Sequence, residues 1–140
     1  MTRERLEEIF NEMITGIPNV MQKEFGRFAK GMDFILFYLY NNQGRLVSAG
    51  EISLALNAST ARVAKALGKL EKNGLIHRLK DKVDSRVTRV VVSEKGKSEI
   101  EGKKNRALGK MTEVIERVGE TDVLEFLRIS KKIKKSLSST

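Results

Sequence analysis

A chain of 140 residues, 40% of them hydrophobic and none of them cysteine, suits one compact cytoplasmic domain and excludes disulfides, thiolate metal sites and cysteine redox sensing. Its one histidine, His77, excludes multi-histidine zinc centres, and no apolar run is long enough for a bilayer span or a signal peptide. The net charge is +9, but residues 45–97 alone carry +7, against −1 for residues 1–44 and +3 for residues 98–140, and a positive region that concentrated favours a polyanion because neutralising phosphates releases condensed counterions.

Residues 3–15 are predicted to form an amphipathic helix, with Leu6, Ile9, Phe10, Met13 and Ile14 recurring every three or four positions. Gly16 and Pro18 interrupt it. A second helical stretch, Val20 to Lys30, places Met21, Phe25 and Phe28 on one side, and Gly31 punctuates it. Residues 32–41 are apolar nearly all round, which reads as a buried central helix, ended by the turn residues Asn41-Asn42-Gln43-Gly44.

Ser48-Ala49-Gly50-Glu51 has the form of a capping box, in which the serine oxygen accepts an orphan amide and the glutamate reaches back to the cap amide. A short helix, Ala49 to Leu56, follows with Ile52 and Leu56 inward. After a tight turn at Asn57-Ala58, Ser59 caps a helix that runs to Asn73 and is stopped by Gly74. Val63, Leu67 and Leu70 share one face of that helix; Arg62, Lys65, Lys69 and Lys72 lie on nearly the opposite one. Gly68, a local fault in the helix, suggests close packing there.

The period then changes to two. Leu75 to Lys80 and Arg86 to Val92 are predicted as paired strands joined by the polar tip Asp81-Lys82-Val83-Asp84-Ser85. Ser93 caps a further helix carrying Ile100, Leu108, Met111, Ile115 and Val118. A break near Gly119 precedes a last helix from Thr121-Asp122 with Leu124, Leu127, Ile133 and Leu137.

Two short helices across a tight turn, the second basic on its outer face, make a helix-turn-helix. Such a helix fits a major groove only if one face carries donors and cations while the other anchors in a core. Ser59, Thr60 and Ala61 stand at its leading end, Arg62 and Lys65 in the turns that meet base edges, and Lys69 and Lys72 further back, where phosphates lie. The adjoining hairpin adds Arg78, Lys80, Lys82, Arg86 and Arg89, enough for a basic wing whose arginine enters a minor groove. Asp84 stands beside Arg86, to hold its guanidinium or to stiffen the turn.

From Glu51 to Gly96 the sequence resembles the MarR family of multiple-antibiotic-resistance regulators. Glu51-Ile52-Ser53-Leu54-Ala55-Leu56 is similar to that family's first motif helix, and Leu70-Glu71-Lys72-Asn73-Gly74-Leu75-Ile76 to its helix-to-wing junction. Asp84-Ser85-Arg86 matches the Asp-x-Arg of its wing tip, and Ser93-Glu94-Lys95-Gly96 resembles the Thr-Glu-Lys-Gly that opens its next helix. The departures are Ser53, where the family usually has alanine, and Ala61 and Ala64, where it often has hydroxyl residues.

The resemblance implies a mainly α fold with a small β-wing, a single domain over residues 1–140. Residues 32–98 would form the winged helix-turn-helix, and residues 1–31 and 99–140 the flanking dimerisation helices. It implies a homodimer on a pseudo-palindromic operator, a repressor in which Arg62 and Lys65 read bases and Arg86 enters the minor groove. It also implies a small aromatic or anionic ligand, for which Met13, Ile17, Phe25, Phe28 and Tyr38 are the lining candidates. Leu6, Phe10, Met13, Ile129, Ile133 and Leu137 suit a dimer interface or cover the protomer's own core. No cofactor, metal or enzymatic activity is expected, since acids, histidine and a nucleophile converge nowhere in the pattern. Two alternatives stay open: a non-specific architectural DNA binder, and a winged-helix adaptor that binds protein.

Overall fold

A computed structural model of the chain describes residues 1–15, 22, 23 and 25–139. The helices are α1 (Arg3–Thr15), α2 (Gly31–Asn41), α3 (Ala49–Leu56), α4 (Thr60–Lys72), α5 (Glu94–Val118) and α6 (Glu120–Ser138). The strands are β1 (Val47–Ser48), β2 (Ile76–Lys80) and β3 (Thr88–Val92), and a 3-10 turn spans Gly26–Ala29. The chain divides into two compact units, Met1–Gly102 and Lys103–Thr140.

The core of the first unit is built around α2, which packs against α3, α4 and β3. Ile35, Leu36 and Leu39 of α2 are buried with Ile52, Val63, Leu67 and Leu70. Each such side chain withdrawn from water contributes on the order of 1.5–3 kcal/mol. Tilted contact of Phe28 with Phe37, ring centroids 5.2 Å apart, seats the 3-10 turn on α2. The helix expected over Val20 to Lys30 is thus, over Gly26–Ala29, a 3-10 turn; Met21 lies outside the described residues.

The sheet has three strands in the order β1-β3-β2, all antiparallel, with Val47 opposite Val90 and Ile76 opposite Val92. The strand β1 was not expected, since two residues are too few to show a period of two. It makes β3 the central strand and fixes the wing to the start of α3.

Helix α4 ends in a pair of crossed hydrogen bonds: Leu75 N–H donates to Leu70 C=O and Gly74 N–H to Glu71 C=O, both 2.9 Å. Gly74 has φ of +74°, which an L side chain tolerates poorly. Gly68 plays no such part. A Cβ built there has nothing within 4 Å, so the close packing expected at this position is absent. Gly68→Ala is therefore expected to stabilise the chain by about 1 kcal/mol, the helix-propensity difference. A chemical denaturation curve with an unshifted midpoint would contradict this.

Candidate nucleic-acid interface

The first helix of the pair is set in place by charge and hydrogen bonding. Ser48 Oγ accepts the Glu51 amide at 3.0 Å, as a helix cap does. The Glu51 carboxylate does not return to the cap amide as the capping-box reading had it. It takes Arg45 Nη1 at 2.8 Å and the Tyr38 hydroxyl instead. An arginine offers a charge-assisted partner stronger than a neutral amide, so the carboxylate turns outward to it. Tyr38 belongs to α2 and Arg45 to the loop after it, so this cluster joins α2 to the start of α3.

The Arg45 guanidinium, and then the Tyr38 hydroxyl, lower the Glu51 carboxyl from its ordinary value near 4.5 to about 2. Donating to that carboxylate raises the Tyr38 phenol. A carboxyl depressed on folding stabilises the fold above its unfolded value, and that contribution disappears as pH falls through the folded value. Glu51→Gln is accordingly expected to flatten the loss of stability between about pH 4.5 and pH 2 relative to wild type. Equal slopes of stability against pH in that window would contradict the cluster.

The turn between the helices closes on Asn57, left-handed at φ of 53°. The Ser53 hydroxyl donates to Ala58 C=O at 2.6 Å, so the serine that departs from the usual alanine fastens the turn. Ser59 Oγ then accepts the Arg62 amide at 3.2 Å and starts α4. On α4, Val63, Leu67 and Leu70 are buried, while Thr60, Ala61, Arg62, Ala64, Lys65, Lys69 and Lys72 are exposed.

Ion pairing shows where the basic charge is free. Residues 45–97 hold five acidic groups, and each has a basic partner: Arg45 with Glu51, Arg78 with Glu71, Arg89 with Asp81, Arg86 with Asp84 and Lys97 with Glu94. Lys95 donates to Asn73 C=O at 2.9 Å. Among the described residues, the Lys and Arg side chains of this segment left without a protein partner are Arg62, Lys65, Lys69 and Lys72 of α4, and Lys80 and Lys82 of the wing. The excess positive charge of the middle third is thus displayed by the second helix and the hairpin beside it.

In the wing, Arg86 is 88% exposed and donates through Nε and Nη2 to Asp84 at 3.1 and 3.2 Å, as expected of that pair. This contact, with the Arg86 amide, lowers the Asp84 carboxyl. Arg78 is committed differently from the expected DNA contact. Its backbone amide, Nε and Nη2 all donate to the Glu71 carboxylate, which ties β2 to α4 and lowers Glu71. Arg89, Asp81, Arg45 and Tyr38 were not recognised as a positioning set. The available signal was that each acid of the basic segment lies near an arginine or lysine in sequence.

The wing root is a clasp. Ser93 N–H donates to Leu75 C=O at 3.0 Å, Ser93 Oγ donates to Gly74 C=O at 2.6 Å, and the same oxygen accepts the Gly96 amide at 3.0 Å. The stretches Leu70 to Ile76 and Ser93 to Gly96 therefore hold each other.

A model of the MarR family matches residues 34–87, from α2 through the wing tip. Over those residues the chain is similar to the MarR family. Comparisons with solved structures give the same fold over nearly the whole chain. One MarR family transcription regulator superposes with a TM-score of 0.79 at 16% identity, covering 97% of this chain and 92% of that one. The Staphylococcus aureus MepR–DNA complex gives 0.67 at 19% identity, covering 98% and 99%. S. aureus MepR bound to ethidium bromide gives 0.55 at 20% identity, covering 98% and 97%. No curated protein matches.

Outside the helix-turn-helix and wing, Leu6, Phe10 and Met13 are exposed on α1, and Ile129, Ile133 and Leu137 on α6. Of the residues expected to line a ligand pocket, Phe25, Phe28 and Tyr38 are half-buried and Met13 is exposed; Ile17 lies outside the described residues. His77 is an exposed residue of β2. Among the described residues no helix is long and apolar enough to cross a membrane, and no three His, Asp or Glu side chains could together hold a metal ion.

Proposed function

We propose that this chain is a sequence-specific, double-stranded DNA-binding transcriptional regulator, acting as a homodimer that represses from a pseudo-palindromic operator. The observation that carries this is the placement of the unpaired cations. Six basic side chains on α4 and the wing face solvent without a protein partner among the described residues, while the other arginines nearby are committed to carboxylates. In this reading Ser59, Thr60, Ala61, Arg62 and Lys65 meet base edges, and Lys69, Lys80 and Lys82 meet phosphates. Arg86, shaped by Asp84, enters a minor groove. That MepR, of the same fold, has been solved with DNA supports the reading.

Self-association accounts for the apolar surface that each unit exposes, Leu6, Phe10, Met13 and Ile14 on α1 and Leu124, Leu127, Ile133 and Leu137 on α6. Release by a small aromatic or anionic ligand fits the joint at Tyr38. A molecule that drew this ring from Glu51 would loosen α2 from α3. That MepR, of the same fold, has been solved bound to ethidium bromide supports this reading.

The test is a salt titration of binding to duplex DNA, with sedimentation velocity on the same samples. Neutralising about three phosphates per protomer, by Lys69, Lys80 and Lys82, predicts that log K falls with log salt at a slope of about −3 per protomer. Sedimentation should give the mass of a dimer. Binding indifferent to salt, or none to duplex DNA, would refute the proposal.

A further inference from the structure

The wing tip, residues 81–87, has no fully buried apolar side chain. Val83 is 96% exposed, and Lys82, Ser85 and Arg86 face solvent with it. Hydrogen bonds must then fix its shape, and they converge on one side chain. Asp81 Oδ2 accepts the amides of Val83 at 3.2 Å and Asp84 at 2.9 Å, while Oδ1 accepts Arg89 Nε at 3.1 Å. The Asp81 amide donates to Val87 C=O at 2.9 Å, and the Val87 amide to Asp84 C=O at 3.0 Å, which closes the loop. Asp84, set in this way, accepts the Arg86 amide at 3.0 Å and its guanidinium.

The anchor is covered and the presented group is not. The side chains of Asp81 and Arg89 are 16% and 30% exposed, against 88% for Arg86. Arg89 sits in the central strand, opposite Ser48 on one side and Leu79 on the other, so its own position is set by the sheet. Ser48 is also the cap of α3, which places the root of the wing and the start of the helix-turn-helix on one strand pair.

We infer that Asp81 and Arg89 are the positioning residues of the wing: they transmit the orientation of β3 to the tip, so that Arg86 is held out in the attitude that a minor groove receives. Neither touches DNA; both act through Arg86. The inference rests on the DNA-binding reading given above.

The test uses the full chain and its selected operator, with Asp81→Ala and Arg89→Ala each made in the wild-type and Arg86→Ala backgrounds. Each is expected to weaken operator binding about 10-fold in the wild-type background. In the Arg86→Ala background the further loss should be less than about 2-fold, because the group they position is gone. In the free protein, the Val83 and Asp84 amides of Asp81→Ala should exchange with solvent about 10-fold faster while core amides keep wild-type protection. Equal losses in both backgrounds, or wild-type exchange at the tip, would overturn the inference and leave DNA binding standing. A wild-type chain that binds no duplex would overturn both.

Discussion

Gly96→Ala is expected to destabilise the chain by about 3 kcal/mol, although the same exchange in an exposed helix position stabilises. Gly96 lies in the first turn of α5, buried against Leu75 and Val92 at the wing root. A Cβ there would stand 2.1 Å from Leu75 O and 2.8 Å from Val92 Cγ2. The first is backbone and cannot step aside. Leu75 O already accepts Ser93 N–H at 3.0 Å, and Leu75 N–H is fixed to Leu70 C=O at 2.9 Å. Relief requires α5 to move off the wing root, which opens the clasp between the two stretches. Thermal unfolding of Gly96→Ala and Gly68→Ala in parallel should give shifts of opposite sign. A neutral Gly96→Ala would mean that the α5 N-terminus is not seated on Leu75.

The second large effect is on binding. Arg62→Ala is expected to weaken operator binding by about 1–3 kcal/mol and to relax discrimination at one base position, with a smaller loss on random DNA. Arg62 is in the first turn of α4, exposed and paired with no carboxylate among the described residues, which leaves its guanidinium for a bidentate contact with guanine. Lys82→Ala should behave differently, lowering affinity about equally on every sequence and reducing the salt slope by about 1. If Arg62→Ala bound operator and random duplex as wild type does, bases would be read by other residues.

Much of this architecture is legible in the sequence because its determinants are local. The caps Ser48 and Ser59, the stop at Gly74 and the opposed faces of α4 follow from spacing and residue type alone, and the structure has them in those places. Four short matches, none specific alone, also carry a resemblance to the MarR family. The clasp gives a physical reason for two of them, since Gly96 must lack a side chain where it meets Leu75 and Ser93 must offer both a donor and an acceptor.

What the sequence did not disclose is pairwise and non-local. The two-residue strand β1 exists through its pairing with β3. Glu51 has two eligible partners, its own cap amide and Arg45, and only folding chooses between them. Arg78 and Arg89 look like DNA ligands in a basic hairpin, yet both are turned to carboxylates, because β2 lies beside α4 and its Glu71, and the hairpin brings Asp81 within reach of Arg89.

The central claim is tested most directly by selecting binding sites for the wild-type chain from a random pool of duplex DNA. The account predicts enrichment of one sequence with two related half-sites about one helical turn apart. Recovery of sequences with no shared motif, at affinities like those of the starting pool, would contradict it.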